Sequence, residues 1–188
     1  MIRSTLPLFA LAFLASAPAL AVEPIAVPNF RSVELRGGGN AVVVPGPAER
    51  VTILEGSSEF THIYVENGGQ LRIDACNERC PRDYRLRIEI QSPHVPSLAV
   101  SGGGTITTMG GFAPEAHLAA AVNGGGTIDA RSVDALNVSA AVNGGGNLLV
   151  RPRVSLAAAV NGGGNIRYWG KPNVTMAIRG GGNVSAGY

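Results

Sequence analysis

Few residues of this chain have the types and spacings that do chemistry. Cys76 and Cys80 lie in Asp74-Ala-Cys-Asn-Glu-Arg-Cys-Pro81 with three residues between them, one more than a redox-active Cys-x-x-Cys motif uses. Zinc would need two further ligands, and His62, His94 and His117 show no ligand-type spacing to the pair. In an oxidising compartment a pair this close reads as a local disulfide, with free thiols as the alternative. Beyond Leu98 the only acids are Glu115, Asp129 and Asp134. They hold no common position, whereas glycoside cleavage needs two facing carboxyl groups and the calcium-binding nonapeptide repeat needs an Asp in every turn. The glycine triplets are followed by neither a Gly-x-Gly-x-x-Gly helix start nor Lys-Ser/Thr, so they do not read as phosphate cradles. His94 and His117 suggest no Ser/His/Asp order. The expectation is a chain with no catalytic, cofactor-binding or metal-ligating residues and no cofactor; it is read as not an enzyme, with a polysaccharide-acting enzyme as the remote alternative.

The elements that must carry the remaining candidates follow from composition. The 188 residues are 45% hydrophobic, 15% charged and 5% aromatic, enough apolar content for a core built from Val, Ile, Leu and Ala. Fifteen basic against thirteen acidic residues give a net charge of +2, too balanced to point to nucleic acid. Met1–Ala21 has the layout of a secretory signal peptide: Arg3 at the start, an apolar run from Leu6 to Leu14, and the small-x-small site Ala19-Leu20-Ala21. No later segment is long and apolar enough to span a bilayer. The chain is therefore read as 1–21 leader and 22–188 single domain, periplasmic or secreted, with no membrane span after cleavage.

The domain repeats itself. Glycine triplets begin at Gly37, Gly102, Gly124, Gly144, Gly162 and Gly180, and from Gly102 onward the intervals are 22, 20, 18 and 18 residues. Their flanks repeat as well: Leu118-Ala-Ala-Ala-Val-Asn-Gly-Gly-Gly-Thr-Ile128, Val138-Ser-Ala-Ala-Val-Asn-Gly-Gly-Gly-Asn-Leu148 and Leu156-Ala-Ala-Ala-Val-Asn-Gly-Gly-Gly-Asn-Ile166. A fixed period near twenty signals stacked units. Leu118, Ala120 and Val122 alternate with Ala119 and Ala121, a period of two that argues for strands despite the helical propensity of Ala. One unit reads as strand, glycine corner, strand, return loop. The fold expected is all-β, a parallel β-solenoid with short glycine-rich corners. Residues 22–97 would form irregular coils with a Cys loop over 74–85, and residues 98–188 regular repeats of 18–22. The right-handed β-helix is preferred because parallel crossovers are almost always right-handed. A left-handed form is the alternative, since Val142, Leu148, Val154, Val160, Ile166, Pro172, Ile178 and Val184 fall at intervals of six. The middle glycines Gly125 and Gly145 are expected to need positive φ, so that valine there would destabilise.

This organisation resembles the auto-transporter adhesin family with the head GIN domain. The resemblance rests on Phe30-Arg-Ser-Val33-Glu-Leu35, Gly69-Gln-Leu71-Arg-Ile73, Ile88-Glu-Ile90-Gln-Ser-Pro93, Leu98-Ala-Val100-Ser-Gly-Gly-Gly-Thr-Ile106 and the repeats that follow. It implies a right-handed parallel β-helix outside the cytoplasm with an adhesive role. The unbroken glycine triplets, Ala-rich strands and cysteine pair depart from the family pattern.

Three residue sets are candidates for function or support. Asn123, Asn143 and Asn161 precede successive corners and would either stack as an amide column or simply tolerate turn conformations. Ala119, Ala121, Ser139, Ala141, Ala157 and Ala159 share one strand face, which becomes a smooth interaction surface if Leu118, Val122 and their equivalents point inward. If Ala points inward instead, nothing special lies outside. Arg131, Arg151, Arg153 and Arg167 follow three corners and form either a basic stripe for anionic polymer or a solvated charged edge. The function read from these is an extracytoplasmic, non-enzymatic binding module contacting glycan, matrix or envelope polymer, the particular partner being unknown. The alternative is a structural, self-assembling envelope protein, for which a homo-oligomer would be expected. Intact mass of the exported protein is expected to begin at Val22; a retained Met1 would overturn both the leader and the compartment.

Overall fold

The computed structural model describes residues 22–77 and 79–187; the leader read at Met1–Ala21 lies outside them. Fifteen strands are present among the described residues: β1 (Glu23–Ile25), β2 (Ser32–Gly37), β3 (Asn40–Pro45), β4 (Arg50–Glu55), β5 (His62–Glu66), β6 (Gln70–Asp74), β7 (Arg87–Ser92), β8 (Ser97–Gly102), β9 (Thr105–Thr108), β10 (Glu115–Gly124), β11 (Thr127–Gly144), β12 (Asn147–Asn161), β13 (Asn165–Tyr168), β14 (Asn173–Arg179) and β15 (Asn183–Ala186). No helix among the described residues is long and apolar enough to cross a membrane.

The all-β expectation holds, but the wholly parallel solenoid, in either hand, is corrected. All fifteen strands belong to one mixed sheet, and eleven of them follow a single hydrogen-bonded path, β1-β4-β7-β3-β9-β11-β10-β8-β2-β6-β5. This path curls into a nearly closed, barrel-like wall, to which β12 to β15 attach through β11. Pairs β1/β4, β4/β7 and β5/β6 are antiparallel. The reason is elementary for β5 and β6. Only Asn67, Gly68 and Gly69 separate them, and a parallel neighbour needs a crossover of roughly a dozen residues. The return loops expected between repeats are also absent from β11 and β12. These strands run on as single strands of 18 and 15 residues. The first part of β11 pairs with β9 and its last part with β10, so one strand carries the ladder round the wall. The register shifts of β11 against β12, between Ala130, Ala135 and Asn137, supply the bend, as bulges do.

Within the repeats the ladders are parallel and in register. Val100, Val122, Val142, Val160 and Ile178 are successive partners on one side, and Ile106, Ile128, Leu148, Ile166 and Val184 on the other. These two files face a single hydrophobic cluster. Val33, Leu35, Val122, Val142, Val160, Ile128, Leu148 and Ile166 in it are completely buried, each such side chain contributing about 1.5–3 kcal/mol.

The Cys loop between β6 and β7 is closed by the Cys76–Cys80 disulfide. It is tied down by Asn77, whose Nδ2 donates to the Glu59 carbonyl at 2.7 Å, and by Tyr84, whose ring meets Phe60 edge-on at 5.6 Å.

The corners use their glycines differently from expectation. Gly125 and Gly145 do not adopt positive φ, and a side chain there would meet open space. The first glycine of each triplet carries the left-handed backbone, φ 120° at Gly124 and 121° at Gly144. The third is confined from outside: a Cβ on Gly146 would lie 2.5 Å from the Gly126 carbonyl oxygen and 2.5 Å from Val122 Cγ1. Gly146→Ala and Gly144→Ala are therefore expected to cost more than about 1 kcal/mol each, and Gly145→Ala close to nothing. Chemical denaturation of the three variants separates the positions; equal costs would refute the assignment.

Candidate functional site

The repeat builds its outer surface by the same alternation that fills the core. Because β10, β11, β12 and β14 are in register, each outward position becomes a file of like residues. Ala121, Ala141, Ala159 and Ala177 form one file, continued by Ala99 of β8. Ala119, Ser139, Ala157 and Thr175 form the next. Ala119, Ser139, Ala157 and Ala159 are exposed and Ala121 and Ala141 half-buried, so the six residues singled out from sequence lie together on the outside. Ala120, Ala140 and Ala158, between them in sequence, point inward and are buried. The floor so formed is a shallow apolar trough of about 640 Å³ that also takes in Ser32, Gln70 and Ser97.

Amide ladders border the trough. Asn143 Nδ2 donates to Asn123 Oδ1 at 3.0 Å, and Asn161 Nδ2 to Asn143 Oδ1 at 3.0 Å. The three residues are thus an amide column, and none of them has positive φ. On the opposite border Ser155 Oγ donates to Asn137 Oδ1 at 2.7 Å, and Asn137 Nδ2 to the Ala116 carbonyl at 3.2 Å. This second border was not singled out from the sequence, nor was a third ladder on the far side of the wall, where Asn165 Nδ2 donates to Asn147 Oδ1 at 3.2 Å. The signal for the third was present: Asn follows the glycine triplet at Asn147, Asn165 and Asn183.

The four arginines do not line one surface. Arg131 grips Asp129 with Nε at 2.9 Å and Nη2 at 2.6 Å, and its guanidinium stands 5.1 Å from the centre of the Trp169 ring. Arg153 pairs with Asp134. Hydrogen bonding from these arginines holds both carboxyls below the usual Asp range. Arg131 and Arg151 line a cavity of about 610 Å³ with Trp169, Thr107 and Ser132, while Arg167 lines a separate cleft with Asn147, Asn165 and Asn183. Two of the four charges are therefore neutralised where they stand. Among the described residues no group of three or more His, Cys, Asp or Glu could hold a metal ion.

The all-β wall thus carries an apolar trough floored by small side chains and edged by hydrogen-bonded amides. Comparison with known proteins finds a family model that matches part of the chain. Residues 115–172 match the family model described as "Putative auto-transporter adhesin, head GIN domain", and that match bears out the family resemblance read from the sequence. It covers β10 to β13 and leaves the residues before 115 and after 172 outside. The description names an adhesin and no catalytic activity. Among solved structures, a putative adhesin from Bacteroides fragilis is similar over 90% of this chain and 98% of its own, with a TM-score of 0.56 and 17% identity, which shows a shared fold. A putative adhesin from Parabacteroides distasonis covers 89% of this chain and 96% of its own, with a TM-score of 0.45 and 18% identity. No curated protein matches the sequence.

Asn143 sits mid-column with a bond on each side. Asn143→Ala is expected to cost about 1 kcal/mol, since each such bond contributes about 0.5–1.5 kcal/mol net of the bonds to water it replaces, and Asn161→Ala is expected to cost less. Urea titration measures both; a null effect at Asn143 would show that the column contributes nothing to stability.

Proposed function

We propose that this protein works outside the cytoplasm as a non-enzymatic, adhesin-type module that lays an extended glycan, matrix or envelope polymer along the Ala/Ser trough. The single observation that carries the reading is the trough itself: two parallel files of small side chains between two hydrogen-bonding borders. Small side chains let a flat chain approach the sheet closely and lose apolar contact with water. Amides repeating at the strand spacing of about 4.8 Å offer donors and acceptors in a row, which suits a partner whose own polar groups repeat. The sequence supports the compartment with its leader-like first 21 residues, and the Cys76–Cys80 bridge suits an oxidising environment.

Ser139→Arg combined with Ala159→Arg places two long charged side chains diagonally across the floor. Binding of the parent and the variant to insoluble cell-envelope material and to a neutral and an anionic polysaccharide is the test. Loss of binding by at least about tenfold with an unchanged melting temperature is expected. Undiminished binding by the variant would remove the trough as the working surface. Binding by the parent that disappears in salt would move the contact to the arginines instead.

A further inference from the structure

The wall has two open edges, and they differ. At one, β1 and β5, the two termini of the strand path, come together around Ile25 and Ile63, each paired on one side only among the described residues. At the other lie β14, paired only with β12, and β15, paired only with β13. Strand β14 exposes residues that the register assigns to the inside: Val174, Met176 and Ile178 stand in line with the buried Leu156, Ala158 and Val160. Among the described residues no strand pairs with the outer side of β14, and Met176 is 50% and Ile178 40% exposed. An unpaired edge with core side chains behind it is a template for another strand.

We propose that copies of this chain associate head to tail, the β14–β15 edge of one docking on the β1–β5 edge of the next. Charge selects the occupant and the orientation. Beyond Asp134 the sequence has five basic residues and no acid, while Val22 to Asp134 holds nine basic and thirteen acidic residues. The open C-terminal edge carries Arg179 on β14 and Lys171 in the turn before it, both exposed. The opposite edge carries Glu23 on β1, held to Ser58, with the exposed Glu59 nearby, while Glu66 on β5 is already paired with Arg72. Head-to-tail docking sets these signs against each other, whereas tail-to-tail docking would bring Arg179 and Lys171 of both copies together. The apolar parts match too: Ile25, Ile63 and Val65 pack against the core at the first edge and would meet Met176 and Ile178. Since β5 runs antiparallel to β6 and β14 parallel to its neighbour, the new pair would be antiparallel. Such a contact does not close on itself, so it propagates. It rests on the edges and not on the trough, and it would set the troughs of successive copies in line.

Sedimentation velocity of the purified exported protein, without any polymer, tests the proposal over a concentration series at low and high salt. Particles that lengthen with concentration and shrink in salt are expected. Met176→Lys and Arg179→Glu should each weaken association by about tenfold while leaving the melting temperature unchanged, both side chains being exposed. Mixing Met176→Cys protein with Ile63→Cys protein, whose side chains share the inward face of the proposed pair, should give the mixed disulfide under oxidation. A chain that stays monomeric at every concentration, a species that stops at the dimer, or a Met176→Cys self-link in preference to the mixed one would each overturn it. Association retained when trough binding is lost, or the converse, keeps this inference and the adhesin reading apart.

Discussion

The corners come so close to one another that the backbone leaves no room for a β-carbon. At Gly146 the limit is set by the carbonyl of Gly126 and the methyl of Val122, and at Gly164 and Gly182 the neighbouring corners impose it again. Everything regular in the second half depends on that contact. It fixes each repeat at one height and one register over the last, since a slip of one residue would turn every inward side chain outward. With register fixed, the valines stack inside, the asparagines meet at hydrogen-bond distance, and the alanines fall into files. The trough is therefore a by-product of packing at the corners.

Much of this was legible because the repeats print the register directly. Asn-Gly-Gly-Gly at a constant offset from Ala-Ala-Val is enough to place Asn123, Asn143 and Asn161 above one another and to put Ala119 and Ala121 on one face. Two things were not legible. Period-two alternation says which residues share a face but is silent on strand direction, so the antiparallel β1/β4, β4/β7 and β5/β6 pairs and the mixed sheet they create went unseen, although the three-residue turn before β6 carried the clue for one. A short polar stretch such as Arg131-Ser132 also reads as a loop. In the wall it stays extended, because Ser132 hydrogen-bonds Thr108 and the strand continues round the bend.

The charged residues follow a different logic from the apolar ones. Arg72 bridges Glu34 and Glu66 across neighbouring strands, Arg36 reaches Asp74, and Arg131 and Arg153 hold Asp129 and Asp134. Exposed pairs of this kind contribute little to stability, typically under about 1 kcal/mol. Their larger effect here is to occupy these acids where they stand, while beyond Asp134 the sequence holds five basic residues and no acid.

The continuity of β11 and β12 has a bearing on resistance to proteolysis. Proteases cut where chain can be drawn out into their active-site cleft, which in most domains means the connecting loops. Here the passage from one side of the wall to the other is hydrogen-bonded strand, and the remaining connections at the corners are three glycines pressed against their neighbours. From Thr127 to Asn161 the chain offers a digestive enzyme almost nothing to grasp. The exposed segments outside the strands, such as residues 109–114 and the turn at 169–172, are where cleavage is expected to begin.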